Sequence, residues 1–207
     1  EVMQPDTSVC DIQAQSRALL TAERTCINFL QMLSGTATRS HQYAHAIAGI
    51  SPNPRGCIVL DTRKTIPGLR LAQKYAVQVG GASNQRLALW HGILIKENHI
   101  AAAGGIALAL HAAAALNSGV QIQCEVEDLS GLQQALRARA EMILLDNFTI
   151  DLLRDAVALT RGRAVLEASG GTDLSTLRAV AATGVDRISV GCITKDIAAV
   201  DFSLRIV

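Results

Sequence analysis

Hydrophobic and polar residues follow two different patterns along the chain, and the change comes at the loop Ser51–Gly56. Before this loop, apolar residues recur at helical spacing: Leu19, Ala22, Cys26, Leu30 and Leu33. This spacing predicts one long amphipathic helix that ends near Ser34 and Gly35. We expect a second, shorter helix over residues 36–51, where the loop with its two prolines stops it.

After the loop, short apolar runs alternate with helical patterns. The runs are Cys57–Leu60, Gly92–Ile95, Val120–Val126, Met142–Leu145, Ala164–Glu167 and Arg187–Val190. The helical patterns are Leu69–Val79, Ile106–Asn117, Leu129–Ala138, Thr149–Thr160 and Leu174–Thr183. Strands that alternate with helices predict right-handed βαβ units and a parallel sheet, hence an α/β fold. Six such units favour a barrel or a partial barrel, with a doubly wound sheet as the alternative.

Composition narrows the class of protein. The chain has 207 residues, of which 49% are hydrophobic and only 3% aromatic, so its core consists mainly of small aliphatic side chains. A net charge of +1 excludes a general nucleic-acid binder, and no apolar run approaches the length of a membrane span. The five cysteines are widely spaced without a CxxC pair, which predicts reduced thiols and a cytoplasmic location rather than a zinc site.

Cationic side chains follow the early strands. Arg63 and Lys64 come directly after the first strand, and Lys96 follows the second. Arg86 lies in the glycine-containing loop between these two strands. Because the carboxyl ends of parallel strands meet at one edge of a barrel, we expect these four cations to bind a substrate with several carboxylates or phosphates.

Acidic residues and glycine turns lie at or near the carboxyl ends of the later strands. Glu125 and Asp146 are candidate ligands of Mg²⁺, which proteins often hold through one or two carboxylates and the substrate's phosphates. The turns at Ser169–Gly171 and at Gly191 would offer backbone N–H groups to a phosphate. Two plainer interpretations stay open: Asp146 could cap the following helix, and the glycines could simply form tight βα turns.

Several of these segments, in the order in which they occur, resemble the quinolinate phosphoribosyltransferase family. They are Glu23–Gln31, Leu33–Thr38, Asp61–Thr65, Leu94–His99, Glu125–Glu127, Leu145–Phe148, Glu167–Gly171 and Ser189–Gly191. The resemblance runs from about Gly35 to the C-terminus. The combination of motifs is specific, although a single motif such as a Gly-Gly turn would be weak evidence.

The resemblance implies a reaction and an architecture. Quinolinate and phosphoribosyl pyrophosphate would give nicotinate mononucleotide, pyrophosphate and carbon dioxide, with Mg²⁺, in de novo NAD biosynthesis. The fold would be an incomplete (open) α/β barrel of about six or seven parallel strands, preceded by a partial N-terminal α/β sandwich domain. Residues 1–35 would be the remnant of that domain and a connecting helix, and residues 36–207 the barrel, with the extreme C-terminus packing back on the N-terminal domain. We expect further sequence upstream of residue 1, and a homodimer or higher oligomer with shared active sites.

The resemblance also assigns roles. Arg24 would reach across the dimer, while Arg63, Lys64, Arg86 and Lys96 would hold the carboxylates and phosphates. Glu125 and Asp146 would face the ribose and the Mg²⁺-pyrophosphate. The 5′-phosphate would lie on Ser169, Gly170 and Gly191, with Lys195 also in the substrate site. The expected catalytic residues are Lys64, Lys96, Glu125 and Asp146.

Two positions depart from the family pattern. Gln85 stands where the family usually has His in an Asn-His-Arg motif, and His91 stands where many members have an acidic residue. A neutral amide donates hydrogen bonds but supplies no positive charge. Two alternatives therefore stay open: a paralogue that acts on another pyridine or aromatic carboxylate, and a catalytically silent barrel that serves oligomerisation or ligand binding.

Overall fold

The computed structural model describes residues 3–206 of the chain. Its first element is a single 31-residue helix, α1 (Ser16–Ala46), so the prediction of two helices that meet at Gly35 was wrong. Gly35 does not end the helix, because it makes room for a neighbouring segment. A methyl group on Gly35 would lie 3.2 Å from Ile197 Cγ2 and would overlap the Ala198 carbonyl.

The predicted apolar stripe of α1 lies on the helix, but its first half is not buried within the single chain. Leu30 is 39% exposed and Phe29 is 47% exposed. The buried residues of this helix are instead Ile27, Gly35, Thr36, Ser40 and Tyr43, most of them in its second half. That half packs on the barrel, whereas the described residues leave the first half largely uncovered.

The sheet has six parallel strands. They are β1 (Ile58–Leu60), β2 (Gly92–Ile95), β3 (Gln121–Val126), β4 (Met142–Asp146), β5 (Val165–Ser169) and β6 (Arg187–Ser189). Their spatial order is β1-β6-β5-β4-β3-β2, and every pair is parallel. The expected α/β fold with a parallel sheet is therefore confirmed, and each predicted strand lies within two residues of its observed bounds.

Helices connect the strands on the outside of the sheet. They are α2 (Arg70–Val79), α3 (Glu97–Ala103), α4 (Ile106–Ala115), α5 (Leu129–Arg137), α6 (Ile150–Thr160), α7 (Leu177–Ala181) and α8 (Cys192–Lys195). The sequence pattern did not indicate the short helices α3 and α8. Within residues 3–206 no single helix combines the length and apolarity needed to cross a membrane; only α3 and α4 taken together do, and they are bent by 90°.

The two edge strands, β1 and β2, are the first two along the chain, as in a barrel whose first and second strands stay apart. Close to the β1 edge, Ser83 forms a single parallel bridge with Leu60. The chain passes from this bridge through Asn84, Gln85 and Arg86 before it reaches β2. The segment between the two edges therefore carries side chains that are not locked in a strand ladder.

Alternation along the strands separates the two faces of the sheet. One face packs on the helices and is apolar, with Ile143, Leu145, Leu166, Ala168 and Ile188 almost fully buried. The other face carries polar side chains. The register aligns Asp146 with Ser169 and Ser169 with Ser189, so this polar face ends in one row at the carboxyl edge.

The C-terminal segment runs along α1. The Val200 N–H donates to the Gln31 carbonyl at 3.1 Å, and Gln31 Nε2 donates to Asp201 Oδ1 at 3.0 Å. Together with the close approach at Gly35, these contacts hold residues 197–201 against the middle of the helix.

Candidate active site

A cavity of about 990 Å³ opens at the carboxyl ends of the strands. The predicted site residues that line it are Arg63, Lys64, Arg86, Lys96, Glu125, Asp146, Ser169, Gly170, Gly191 and Lys195. Among the predicted site residues only Arg24 lies elsewhere: it is exposed on α1 and does not line the cavity of its own chain. Cations from the early strands and carboxylates from the later strands therefore share one pocket.

The loop after β1 supplies the first two cations. Arg70, at the start of α2, fixes this loop, because its Nε donates to Thr65 Oγ1 at 3.1 Å and its Nη2 to the Arg63 carbonyl at 3.2 Å. The Lys64 side chain crosses Gly191: a Cβ on this glycine would be 3.2 Å from Lys64 Cδ. The absence of a side chain at Gly191 therefore lets the lysine reach into the pocket.

Arg86 is held between the polar floor of the pocket and β2, where its Nη1 donates to the Gly92 carbonyl at 2.9 Å. Burial lowers the pKa of Arg86, the charge of the nearby Arg63 lowers it further, and Glu125 opposes both effects. The guanidinium still remains charged at neutral pH. Two neighbouring guanidinium groups repel each other, so an anion that binds both would relieve this repulsion.

Lys96 and Glu125 form an ion pair across β2 and β3, with Nζ 2.8 Å from Oε1. The Glu125 side chain is only 8% exposed, whereas that of Lys96 is 43% exposed. The carboxylate thus sits inside the pocket and the ammonium group at its mouth. Glu125 therefore presents negative charge inside a predominantly cationic pocket.

The floor of the pocket is a hydrogen-bonded group of polar side chains around Glu167, which is fully buried. Gln123 Nε2 donates to Glu167 Oε2 at 2.9 Å, and Ser189 Oγ also donates to this carboxylate. Gln85 Nε2 donates to Gln123 Oε1 at 2.8 Å and to Glu167 Oε1 at 3.3 Å, while its Oε1 accepts from the Arg86 N–H. Both ends of the Gln85 amide are therefore used within the floor.

A buried ion pair supports the segment that carries Gln85 and Arg86. Lys74 Nζ lies 2.6 Å from Asp61 Oδ1, with side-chain exposures of 3% and 0%. The same carboxylate accepts from the Gln85 N–H and from Asn84 Nδ2, both at 2.8 Å. Burial raises the pKa of Asp61 and lowers the pKa of Lys74, and the attraction between them opposes both shifts.

Asp146 is oriented by its neighbour Asn147, which has a left-handed backbone with φ of 56°. Asn147 Nδ2 donates to Asp146 Oδ2 at 2.9 Å, and its N–H donates to the Ser169 carbonyl at 2.8 Å. The Asn147 side chain also fills the space that a Cβ on Gly170 would need. Asp146 does not cap α6, since Thr149 Oγ1 accepts the capping bond from Leu152 N–H at 3.3 Å.

The two carboxylates fit a divalent cation that has few protein ligands. Within residues 3–206 no three His, Cys, Asp or Glu side chains lie close enough to form a complete metal cage. Glu125 and Asp146 both line the cavity, and the hydrogen bond to Asp146 involves Oδ2, which leaves Oδ1 for a metal ion. This donor set suits Mg²⁺, which usually keeps waters and binds substrate phosphates as well.

The structure adds lining residues that the sequence analysis did not assign to the site: Arg39, Thr62, Arg70, Gln85, Asn147, Glu167 and Ser189. Glu167 could have been identified from the sequence, because it is a charged residue inside the otherwise apolar run of β5. Arg39 had no such signal, because it lies on α1 and not at a strand end.

Comparisons with known proteins identify the family. The family described as "Quinolinate phosphoribosyl transferase, C-terminal domain" matches residues 36–205. The nicotinate-nucleotide pyrophosphorylase [carboxylating] of Mycobacterium leprae is 41% identical over 98% of this chain and 70% of its own length. Quinolinate phosphoribosyltransferase [decarboxylating] 1 of Nicotiana glauca is 37% identical over 94% of this chain and 59% of its own length.

A solved structure matches as well. The nicotinate-nucleotide pyrophosphorylase from Francisella tularensis superposes with a TM-score of 0.85 at 50% identity. The match covers 90% of this chain and 65% of that protein. The chain therefore spans between about three fifths and seven tenths of the relatives that it matches.

Proposed function

This chain belongs to the quinolinate phosphoribosyltransferase family, and on this premise we propose that it transfers phosphoribose to quinolinate. The products are nicotinate mononucleotide, pyrophosphate and carbon dioxide, in a step of de novo NAD biosynthesis. The observation that carries the proposal is the convergence of Arg63, Arg86, Lys96, Glu125 and Asp146 on one cavity. The named relatives are similar to this chain in the segment that forms that cavity.

Arg63 and Arg86 are the proposed carboxylate-binding groups. Quinolinate carries two adjacent carboxylates, and guanidinium groups bind carboxylates through paired, charge-assisted hydrogen bonds. Arg63 and Arg86 lie close enough for the charge of one to lower the pKa of the other. An aromatic diacid between them would neutralise both and fix the direction of its ring nitrogen.

The transfer step follows from this orientation. As the bond to pyrophosphate breaks, positive charge develops on the anomeric carbon, and the Glu125 carboxylate stabilises it. The ring nitrogen then forms the new bond to that carbon, and alignment of the two reactants lowers the barrier. Lys64 and Lys96 contribute by placing positive charge beside the substrate phosphates and carboxylates.

Decarboxylation completes the reaction. The quaternised nitrogen withdraws electrons, so the bond between the ring and the adjacent carboxylate breaks and its electron pair stays on the ring carbon. A proton then replaces the carbon dioxide that leaves. The salt-linked Lys96 and Glu125 place a charged pair beside this step, with the carboxylate inside the pocket and the ammonium group at its mouth.

Mg²⁺ is the proposed cofactor, held by Glu125 and Asp146. When bound, it would neutralise charge on the pyrophosphate group. The chain's contribution is the fixed position of Asp146, because Asn147 orients this carboxylate at 2.9 Å.

We further propose a homodimer in which Arg24 enters the partner's pocket. Arg24 is exposed on the part of α1 whose apolar residues, including Phe29 and Leu30, are also exposed. These side chains would be buried on association. The five cysteines, all without a disulfide partner, favour a cytoplasmic site of action.

The test is release of carbon dioxide from quinolinate in the presence of phosphoribosyl pyrophosphate and Mg²⁺. We expect Arg63→Ala and Lys96→Ala to lose at least about a hundredfold in kcat/KM, since each removes charge from the substrate pocket. Arg154→Ala is the matched control, because Arg154 pairs with Asp151 on the exposed surface of α6. Undiminished turnover in Arg63→Ala and Lys96→Ala would refute the proposed roles.

A second candidate substrate is nicotinate or another aromatic monocarboxylate. The observation that favours it is Gln85, whose neutral amide is committed to Gln123 and Glu167 and adds no positive charge for a second carboxylate. Parallel assays with quinolinate and nicotinate distinguish the two. We expect turnover only with quinolinate, because Arg63 and Arg86 together already match two carboxylates.

A further inference from the structure

Arg39 lines the cavity, although it comes from α1 and not from a strand end. Its Nη1 donates to the Asp196 carbonyl at 2.8 Å, and its guanidinium carbon lies 6.0 Å from the centre of the Tyr43 ring. These two contacts hold the side chain beside α8, whose C-terminal end is followed by Asp196. Gly191 and Lys195 line the same cavity, at the two ends of that short helix.

The guanidinium group has hydrogen-bonding capacity that the described chain does not use. Within residues 3–206, Arg39 Nε is buried and has no hydrogen-bond partner. Neither does any carboxylate of these residues lie within ion-pair distance of Arg39. Because Nε is shielded from the cavity as well, a ligand would meet the terminal nitrogens, and within residues 3–206 the only hydrogen bond of these is that of Nη1 to Asp196.

The nearest alternative partners are already engaged. The Asp196 carboxylate pairs with Lys195 Nζ at 3.2 Å. The Tyr43 hydroxyl and Cys192 Sγ lie 3.0 Å apart and bond to each other. Arg39 lines the cavity and has no carboxylate partner among residues 3–206, so an anionic ligand in the cavity would compensate its charge.

We infer that Arg39 is an additional phosphate-binding residue, which holds the 5′-phosphate of phosphoribosyl pyrophosphate together with Gly191 and Lys195. The inference rests on the proposed function, because that function supplies the phosphate. Arginine is suited to this task, since its planar fork of donors matches two oxygens of a phosphate. The bond to Asp196 alone would not require a charge, because a neutral amide can donate to a carbonyl equally well.

The test compares Arg39→Gln with Arg39→Lys. Glutamine keeps a neutral amide donor but removes the charge, whereas lysine keeps the charge. Ribose 5-phosphate is the probe for the 5′-phosphate site and inorganic pyrophosphate the probe for the leaving-group site, both by calorimetry on the whole protein. Kinetics with phosphoribosyl pyrophosphate and quinolinate accompany the binding data.

For Arg39→Gln we expect the Kd of ribose 5-phosphate and the KM of phosphoribosyl pyrophosphate to rise by about tenfold or more, because a charge-assisted hydrogen bond is lost. The kcat and the KM of quinolinate should change little. Arg39→Lys should recover part of the affinity. Arg178→Ala is the matched control, since Arg178 Nη1 also donates to a main-chain carbonyl, that of Ala46, at 3.0 Å, but it does not line the cavity.

Three results would overturn the inference: unchanged ribose 5-phosphate binding in Arg39→Gln, weaker pyrophosphate binding with ribose 5-phosphate binding intact, or an equal loss in Arg178→Ala. A different result would refute the proposed function alone. In that case the unaltered protein binds ribose 5-phosphate through Arg39 but releases no carbon dioxide from quinolinate.

Discussion

The Asp61 carboxylate, which has no exposure to solvent, fixes the backbone of the segment that leads to Arg86. It accepts from Lys74, Asn84 and the Gln85 N–H, and Lys74 in turn donates to the Gln85 carbonyl at 2.8 Å. The backbone of Gln85 is thus held on both its N–H and its carbonyl. This buried ion pair therefore positions Arg86, although neither of its members lines the cavity.

Replacement of one member of this pair should destabilise the protein strongly. Asp61→Asn keeps the shape but leaves the Lys74 ammonium buried without a counter-charge, so we expect a loss of about 3–5 kcal/mol in the free energy of unfolding. Since burial shifts the pKa values of both groups toward their neutral forms, the double variant Asp61→Asn/Lys74→Met should recover much of this loss. Urea unfolding at pH 7 measures Asp61→Asn, Lys74→Met and the double variant. Additive losses in the double variant would contradict this account.

At the scale of single residues, the sequence could predict which side chains line the cavity where a charged residue lies at a strand end. Arg63, Lys96, Glu125 and Asp146 lie at or near the carboxyl ends of apolar strands, and these ends share one edge of a parallel sheet, so their convergence could be predicted. Arg39 could not, because its direction depends on Asp196, 157 residues further along the chain, as well as on Tyr43 one helical turn away. The role of Gln85 was open for a related reason: only the structure shows that its amide bonds to Gln123 and Glu167.

In helix α1, a contact with a neighbouring segment explains why a glycine lies inside the helix and does not end it. Gly35 sits within a continuous helix, and residues 197–201 lie against it. Glycine lowers helix stability by about 1 kcal/mol relative to alanine, so this position favours close packing over helix propensity.

Gly35→Ala should therefore destabilise the protein even though alanine is the better helix former. We expect a net loss of about 1–3 kcal/mol, because the new methyl group would overlap the Ala198 carbonyl. Hydrogen exchange should become faster at Val200, whose N–H is bonded to Gln31. Thr38→Ala is the control, since Thr38 is exposed on the same helix. If Gly35→Ala were more stable and hydrogen exchange at Val200 were unchanged, the close packing of residues 197–201 on Gly35 would not contribute to stability.

The strands could be predicted to within two residues because apolar runs with polar ends mark them clearly. The helices were predicted less accurately than the strands. A glycine is a common helix terminator, which made Gly35 misleading, and the tertiary contact that overrides this rule cannot be read from local sequence. The four residues of α8 and the seven of α3 are too few for a periodic pattern to appear.

At the scale of the whole molecule, the proposed sharing of active sites can be tested by mixing inactive variants. If Arg24 acts in the partner's pocket, the Arg24→Ala and Lys96→Ala substitutions of a mixed dimer fall on the same site, and the other site stays intact. Subunit exchange between the two should restore about a quarter of the original rate of carbon dioxide release, the statistical value for a dimer with two equivalent sites. Neither variant alone should show such activity.

The matched control for that experiment is a mixture of Lys96→Ala with Arg63→Ala. Both residues line the cavity of their own chain, so each variant damages its own site and no intact site can form. Activity in this control, or its absence from the Arg24→Ala mixture after verified subunit exchange, would contradict the shared site.

The gap between β1 and β2 has an evolutionary consequence. A residue within a ladder must match its partners in register, so its replacement disturbs the adjoining strands. Gln85 and Arg86 lie outside the ladders, in the stretch that crosses the gap from the Ser83 bridge to β2. Position 85 can therefore accept other side chains while the six strands keep their pairing. Because of this opening in the sheet, the ligand preference of the enzyme can change during evolution without a change in strand register.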